Sequence, residues 1–117
     1  MTVRGLGWLG VRTERFEQTI ALFRDLLGLD PFQVDDASVR FRLGDGTELH
    51  VYGPADTDHG FFGTAPVVGL VVVDVDAARR RMEAAGVEFL TPVERAGGSA
   101  WCHFRGPDGN VYELIGD

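Results

Sequence analysis

Four short runs of this sequence alternate so that reactive side chains fall on one side of an extended chain. Trp8 and Arg12 share the first run, Glu48, His50 and Tyr52 the second, Trp101, His103 and Arg105 the third, and Glu113 lies on the fourth. A carboxylate such as Glu113 on an otherwise apolar strand is costly to bury without a partner. Apolar walls would raise its pKa and suit it to general-base work, with His50 as the second catalytic candidate. Two histidines and a carboxylate, here His50, His103 and Glu113, also form the donor set of a non-haem iron centre. Structural readings stand beside these: an inward histidine is often a satisfied core residue, and Arg12 or Arg105 could simply neutralise Glu113. All eleven basic residues are Arg, so a Schiff-base lysine is excluded.

Holding these groups together takes elements, and the chain reads as a duplication. Phe41–Gly53 (FRLGDGTELHVYG) recurs as Phe104–Gly116 (FRGPDGNVYELIG), offset by 63 residues, the interval from Phe41 to Phe104. Asp45-Gly46 falls on Asp108-Gly109, and His50 falls on Glu113. Asp-Gly between two alternating runs predicts a hairpin, because Gly supplies the positive φ of the turn. Before each hairpin comes a strand (Leu6–Arg12; Val67–Val73), a helix (Arg15–Leu27 ended by Gly28; Ala77–Ala85 ended by Gly86) and a short strand (Phe32–Val34; Val87–Leu90). Phe16, Ile20, Phe23 and Leu27 are the expected apolar stripe of the first helix, and Asp74 or Asp76 is the expected cap of the second. The expectation is an α+β fold of one domain. It holds two βαβββ modules in tandem, about 1–53 and 67–117, joined by a linker over 54–66, with curved mixed sheets enclosing a cleft. Phe61 and Phe62 in the linker either plug the core edge or cover the cleft.

Strand parity then sorts the side chains. Leu9, Val11, Leu49, Val51, Tyr112 and Leu114 are expected to cover helices. Trp8, Gly10, Arg12, Glu48, His50, Tyr52, Val111, Glu113 and Ile115 face away, and with them Trp101, His103 and Arg105 if Phe104 packs as Phe41 does. Val67, Gly69, Val71 and Val73 are placed there by analogy with the first strand. The ligand-binding candidates are therefore Trp8, Arg12, His50, Tyr52, Trp101, His103, Arg105 and Glu113. Few polar groups among apolar walls is the usual make-up of a small-molecule site.

Composition narrows the class. A net charge of −7 has the wrong sign for gripping phosphate backbones, so nucleic acid is not an expected partner. No apolar run approaches a membrane span, and the N-terminal residues lack a secretory pattern. The single cysteine, Cys102, fits a reducing cytoplasm.

The closing run Phe104-Arg-Gly-Pro-Asp-Gly-Asn-Val-Tyr-Glu-Leu-Ile resembles the closing pattern of the vicinal oxygen chelate superfamily, the glyoxalase/bleomycin-resistance/dioxygenase family. Thr19–Leu29 resembles that family's first helix, and Asp74–Arg79 followed by Ala84–Glu88 its second. The resemblance implies one metal ligand on the first and last strand of each module. Those positions are His50 (or Glu48, if the hairpins slip by two) and Glu113, with Trp8 and about Val67 where the other two would be. Neither Trp nor Val binds a metal, and a catalytic Zn²⁺ or Fe²⁺ usually needs three protein ligands. No cofactor is expected, with His50, His103 and Glu113 as the fallback for a divalent metal. The resemblance then points to a metal-free, dimeric binding protein, including sequestration of an antibiotic or metabolite, with Trp8 and Trp101 offering stacking surface to an aromatic or cationic ligand. Arg12 and Arg105 favour an anionic or carbonyl-bearing one. The alternatives are a metal-dependent or metal-free lyase, isomerase or dioxygenase using His50 and Glu113, and an interaction module whose cleft is filled by its own side chains.

Overall fold

A computed structural model of the chain describes residues 1–63 and 65–117; Thr64, inside the expected linker, lies outside the described residues. The described residues form nine strands and two α-helices, and the chain divides into two compact units. One unit is Trp8–Pro66; the other combines Met1–Gly7 with Val67–Asp117. The boundary runs through the first strand, and residues of the expected linker pack with the first unit.

Unit Trp8–Pro66 uses β1 (Gly5–Arg12), α1 (Phe16–Ala21), β2 (Asp30–Val34), β3 (Ser38–Arg42) and β4 (Glu48–Tyr52) in the sheet order β2-β3-β4-β1. β1 runs parallel to β4, and the other pairs are antiparallel. The alternation of β1, β3 and β4 sends Val39, Phe41, Leu49 and Val51 onto Ile20 of α1, with Leu9, Val11, Phe16, Phe23 and Leu29 around them. Parity is as expected. The helix departs from expectation after Ala21, where Leu22–Leu26 widens into a π-turn closed by Leu27 N–H donating to Leu22 C=O at 3.0 Å. The wider turn rotates Leu27 off the apolar stripe, leaving it 59% exposed, and Leu29 joins the core instead.

The other unit repeats the plan with β5 (Val67–Val72), α2 (Val75–Ala84), β6 (Glu88–Phe89), β7 (Glu94–Ala96), β8 (Ser99–Arg105) and β9 (Val111–Gly116). The order β6-β8-β9-β5 matches β2-β3-β4-β1, and the added β7 pairs with β8. Val72, Val75, Ala78, Ala100, Cys102, Phe104 and Leu114 form its core, with Leu70 and Tyr112 against it. Leu70 and Val72 on the helix side put Val67, Gly69 and Val71 on the opposite face, as the analogy required, but the strand ends at Val72 and Val73, expected with them, lies beyond it and is exposed. Asp74 is the cap, accepting from Ala77 N–H at 3.0 Å, while Asp76 pairs with Arg95.

Both Asp-Gly hairpins turn alike. Gly46 N–H reaches Leu43 C=O and Gly109 N–H reaches Gly106 C=O, each at 3.0 Å, with φ of 88° and 83° at the two glycines. An L-residue there would be strained. Among the described residues no helix is long and apolar enough to cross a membrane.

Candidate functional site

In unit Trp8–Pro66 the face away from α1 can be read row by row from the register. Trp8 sits beside Glu48 and Arg42, Gly10 beside His50 and Arg40, and Arg12 beside Tyr52 and Ser38. Trp8 is 5% exposed: its indole lies along its own strand, so close over Gly10 that a Cβ there would sit 2.2 Å from the ring. Phe62, from the 3₁₀ turn Gly60–Phe62, meets Trp8 edge-on at 5.9 Å and is itself buried. The expectation that Trp8 offers open stacking surface to a ligand is thereby corrected. Phe62 rather than a ligand shields it, and of the two readings of the linker aromatics, Phe62 covers the helix-free face while Phe61 stays partly exposed.

His50 is buried, and both ring nitrogens are engaged. Nε2 lies 2.9 Å from Glu48 Oε1 and Nδ1 lies 3.0 Å from the Tyr52 hydroxyl. A carboxylate can only accept, so Nε2 carries the proton, and the tyrosine O–H donates to Nδ1. Burial pushes His50 down to about 4; the Glu48 hydrogen bond opposes this and the Arg40 charge adds to it. At neutral pH His50 is a neutral, fully occupied imidazole.

Three groups that parity reasoning passed over complete this face. His59 stacks on Tyr52 at 3.9 Å, and its Nδ1 donates to Asp56 Oδ1 at 2.8 Å. Asp56 Oδ2 accepts from the His59 backbone N–H and from Arg12, each at 2.9 Å. Burial would raise the Asp56 carboxyl, but the His59 hydrogen bonds outweigh it and hold the group below the usual carboxylate range. Arg12 is thus committed to Asp56. The third group, Arg40, was legible: Val39 and Phe41 face the core, so the residue between them faces away. His59 and Asp56 sit in a loop, where no periodicity points to them.

In the other unit β8 and β9 place His103 opposite Glu113, both buried, with His103 Nε2 3.1 Å from Glu113 Oε2. The His103 backbone N–H donates to Thr91 Oγ1 at 2.8 Å. Trp101 is half-buried beside Ile115. Arg105 turns to the hairpin, donating to Gly109 C=O at 2.8 Å and lying 3.8 Å from Glu88. Arg12 and Arg105, each expected as a neutraliser of Glu113, therefore have other acceptors. Cys102 lies in the core, and burial pushes its thiol up, so it holds its proton at neutral pH. An open cavity of about 480 Å³ between Met1–Arg4 and the first turns of α2 is lined by none of the sequence-predicted site residues.

The donor set fits the family's metal poorly. Trp8 and Val67 are buried at 5% and 0%, and His50 has no spare nitrogen. Among the described residues no group of three or more His, Cys, Asp or Glu side chains is arranged to hold an ion.

Two tandem βαβββ units, each with polar groups on the face opposite its helix, define a class of fold. A family model described as the Glyoxalase/Bleomycin resistance protein/Dioxygenase superfamily matches residues 5–114. The chain belongs to that superfamily. No curated protein matches the sequence. Among solved structures it is similar to the Mn(II)-bound glyoxalase from Novosphingobium aromaticivorans (23% identity, 98% of this chain and 39% of that one, TM-score 0.78). It is also similar to methylmalonyl-CoA epimerase from Mycobacterium tuberculosis (22%, 97% and 88%, 0.72) and to a superfamily member from Vibrio splendidus 12B01 (19%, 99% and 100%, 0.71). At such identities the likeness concerns the fold.

Proposed function

We propose that the chain is a metal-independent small-molecule-binding protein, one that sequesters an antibiotic or a metabolite as a homodimer in the cytoplasm. The ligand is proposed to bind against the helix-free faces, with Trp8, Arg12 and Tyr52 forming the packed wall around His50 in one unit and Trp101, His103 and Glu113 offered in the other, while Arg105 turns away to the hairpin. The observation that carries the reading is His50, the family's last-strand ligand position, with both nitrogens engaged and an indole where the first-strand ligand of its module would stand. Elemental analysis of protein purified from medium containing zinc, iron, manganese and nickel is expected to find less than stoichiometric metal. Stoichiometric metal lost in Glu113→Ala would overturn the reading.

A second reading, a metal-free lyase or isomerase, is supported by the buried His103–Glu113 couple, whose Nε2 and Oε2 lie 3.1 Å apart. Solvent-deuterium exchange into a bound ligand, abolished by Glu113→Gln with binding retained, would establish it.

A further inference from the structure

We propose that the helix-free face of unit Trp8–Pro66 receives a carboxylate of its small-molecule ligand, held by Arg40. The inference deepens the binding reading and rests on it. Arg40 is the middle residue of β3, half-buried, in register with His50. Its Nε is buried without a hydrogen-bond partner, and among the described residues its guanidinium has no ion pair.

The surrounding charges sharpen the point. On this face Arg12 is neutralised by Asp56 at 2.9 Å and Arg42 lies against Glu48 at 3.4 Å, while Glu48 also binds the neutral His50. Row by row the cations are matched, and Arg40 is left over. A chain of net charge −7 has carboxylates to spare, yet the one that feels the Arg40 charge, Asp35, is spent mainly on the backbone N–H groups of Ala37 and Ser38 and forms no ion pair with it. Among the described residues the other arginines without an ion pair, Arg4, Arg15, Arg80 and Arg81, are exposed. A guanidinium half out of water with an unmet N–H is an incomplete receptor, and its planar fork matches a carboxylate with two parallel hydrogen bonds. A cationic ligand would meet repulsion at this place.

The test uses benzoate, benzamide and benzylamine, three aromatic probes of similar size and different charge, with binding to the full chain read by ligand-observed NMR. Benzoate is expected to bind at least about tenfold more tightly than benzamide, the scale of one charge-assisted hydrogen bond, and benzylamine not at all. Arg40→Gln should erase the preference, whereas Arg80→Gln, on the exposed side of α2, should keep it. Should Arg40→Gln fail to fold, Arg40→Lys decides, with an expected several-fold loss because the second hydrogen bond is missing. Equal binding of benzoate and benzamide, a preference surviving in Arg40→Gln, an undiminished preference in Arg40→Lys, or no benzoate binding at all overturns the proposal. Benzamide binding without a carboxylate preference would leave the binding reading standing. A carboxylate from a second copy of the chain is the competing source: a dimer that Arg40→Gln or benzoate dissociates would assign Arg40 to the subunit interface and also overturn the proposal.

Discussion

At the scale of single residues, His50 shows how burial decides chemistry. Its folded pKa of about 4 lies below the ordinary 6.5, so the fold favours the neutral form. Below pH 6.5 the unfolded chain takes up a proton that the folded chain refuses, and stability falls until both states are protonated near pH 4. The loss is on the order of 3 kcal/mol. Asp56, held low by His59, adds loss in the same direction at the acid end. Urea midpoints at several pH values are expected to fall across this window in the wild type and to fall less in His50→Gln. Trp8 makes the companion case. With its indole packed under Phe62 and over Gly10, Trp8→Ala should cost about 3–5 kcal/mol of stability, read by thermal or urea unfolding. A half-wet stacking surface would have cost almost nothing. Glu113 was singled out correctly as a carboxylate that needs a partner, but the partner is His103, its cross-strand neighbour.

At the scale of elements, the helices separate what a periodic pattern conveys from what it does not. Helical spacing identified Phe16, Ile20 and Phe23 as the buried stripe, and it extended the stripe one position too far. The π-turn at Leu22–Leu26 is a hydrogen-bond slip of one residue, so the projection of every later side chain changes. Leu27→Ala is expected to change stability by less than about 0.5 kcal/mol, whereas Phe23→Ala, packed on Phe41 at 6.0 Å, should cost about 3 kcal/mol or more. For α2 the two candidate caps are now distinguished. Asp74→Ala should lower stability by about 1 kcal/mol, because it frees the Ala77 N–H. Asp76→Ala removes only an exposed pairing with Arg95 and should cost less. A denaturation series on the two variants checks the order.

At the scale of the whole molecule, the chain leaves Leu22, Leu26, Leu27, Phe32 and Val34 exposed on one stretch of sequence, an unusual share of large apolar residues in water. This supports the proposed homodimer. Light scattering at micromolar concentration should give twice the chain mass, and Leu26→Glu, at a residue 78% exposed, should shift the mass toward the monomer without unfolding it. A monomer mass for the wild type would count against pairing.

What the sequence by itself determined is the part written in local periodicity. The 63-residue repeat, the two Asp-Gly turns, the order of elements and the face of nearly every strand residue follow from spacings of two and about four residues, which need no knowledge of distant contacts. Family membership follows too, since its motifs lie on the second hairpin and on the two helices. What only the tertiary structure decided is partnership. Parity says that Arg12, His50 and Glu113 face away from a helix, but not that Asp56 and His59 rise from a loop to engage Arg12 and cover Tyr52, nor that Phe62 closes over Trp8. Loop residues carry no period, and whether a polar side chain is satisfied depends on groups brought near it by the fold. Arg40 shows both halves of the matter: its direction was legible in the alternation of β3, and its want of a partner became visible only once the pairing of each neighbouring charge was known.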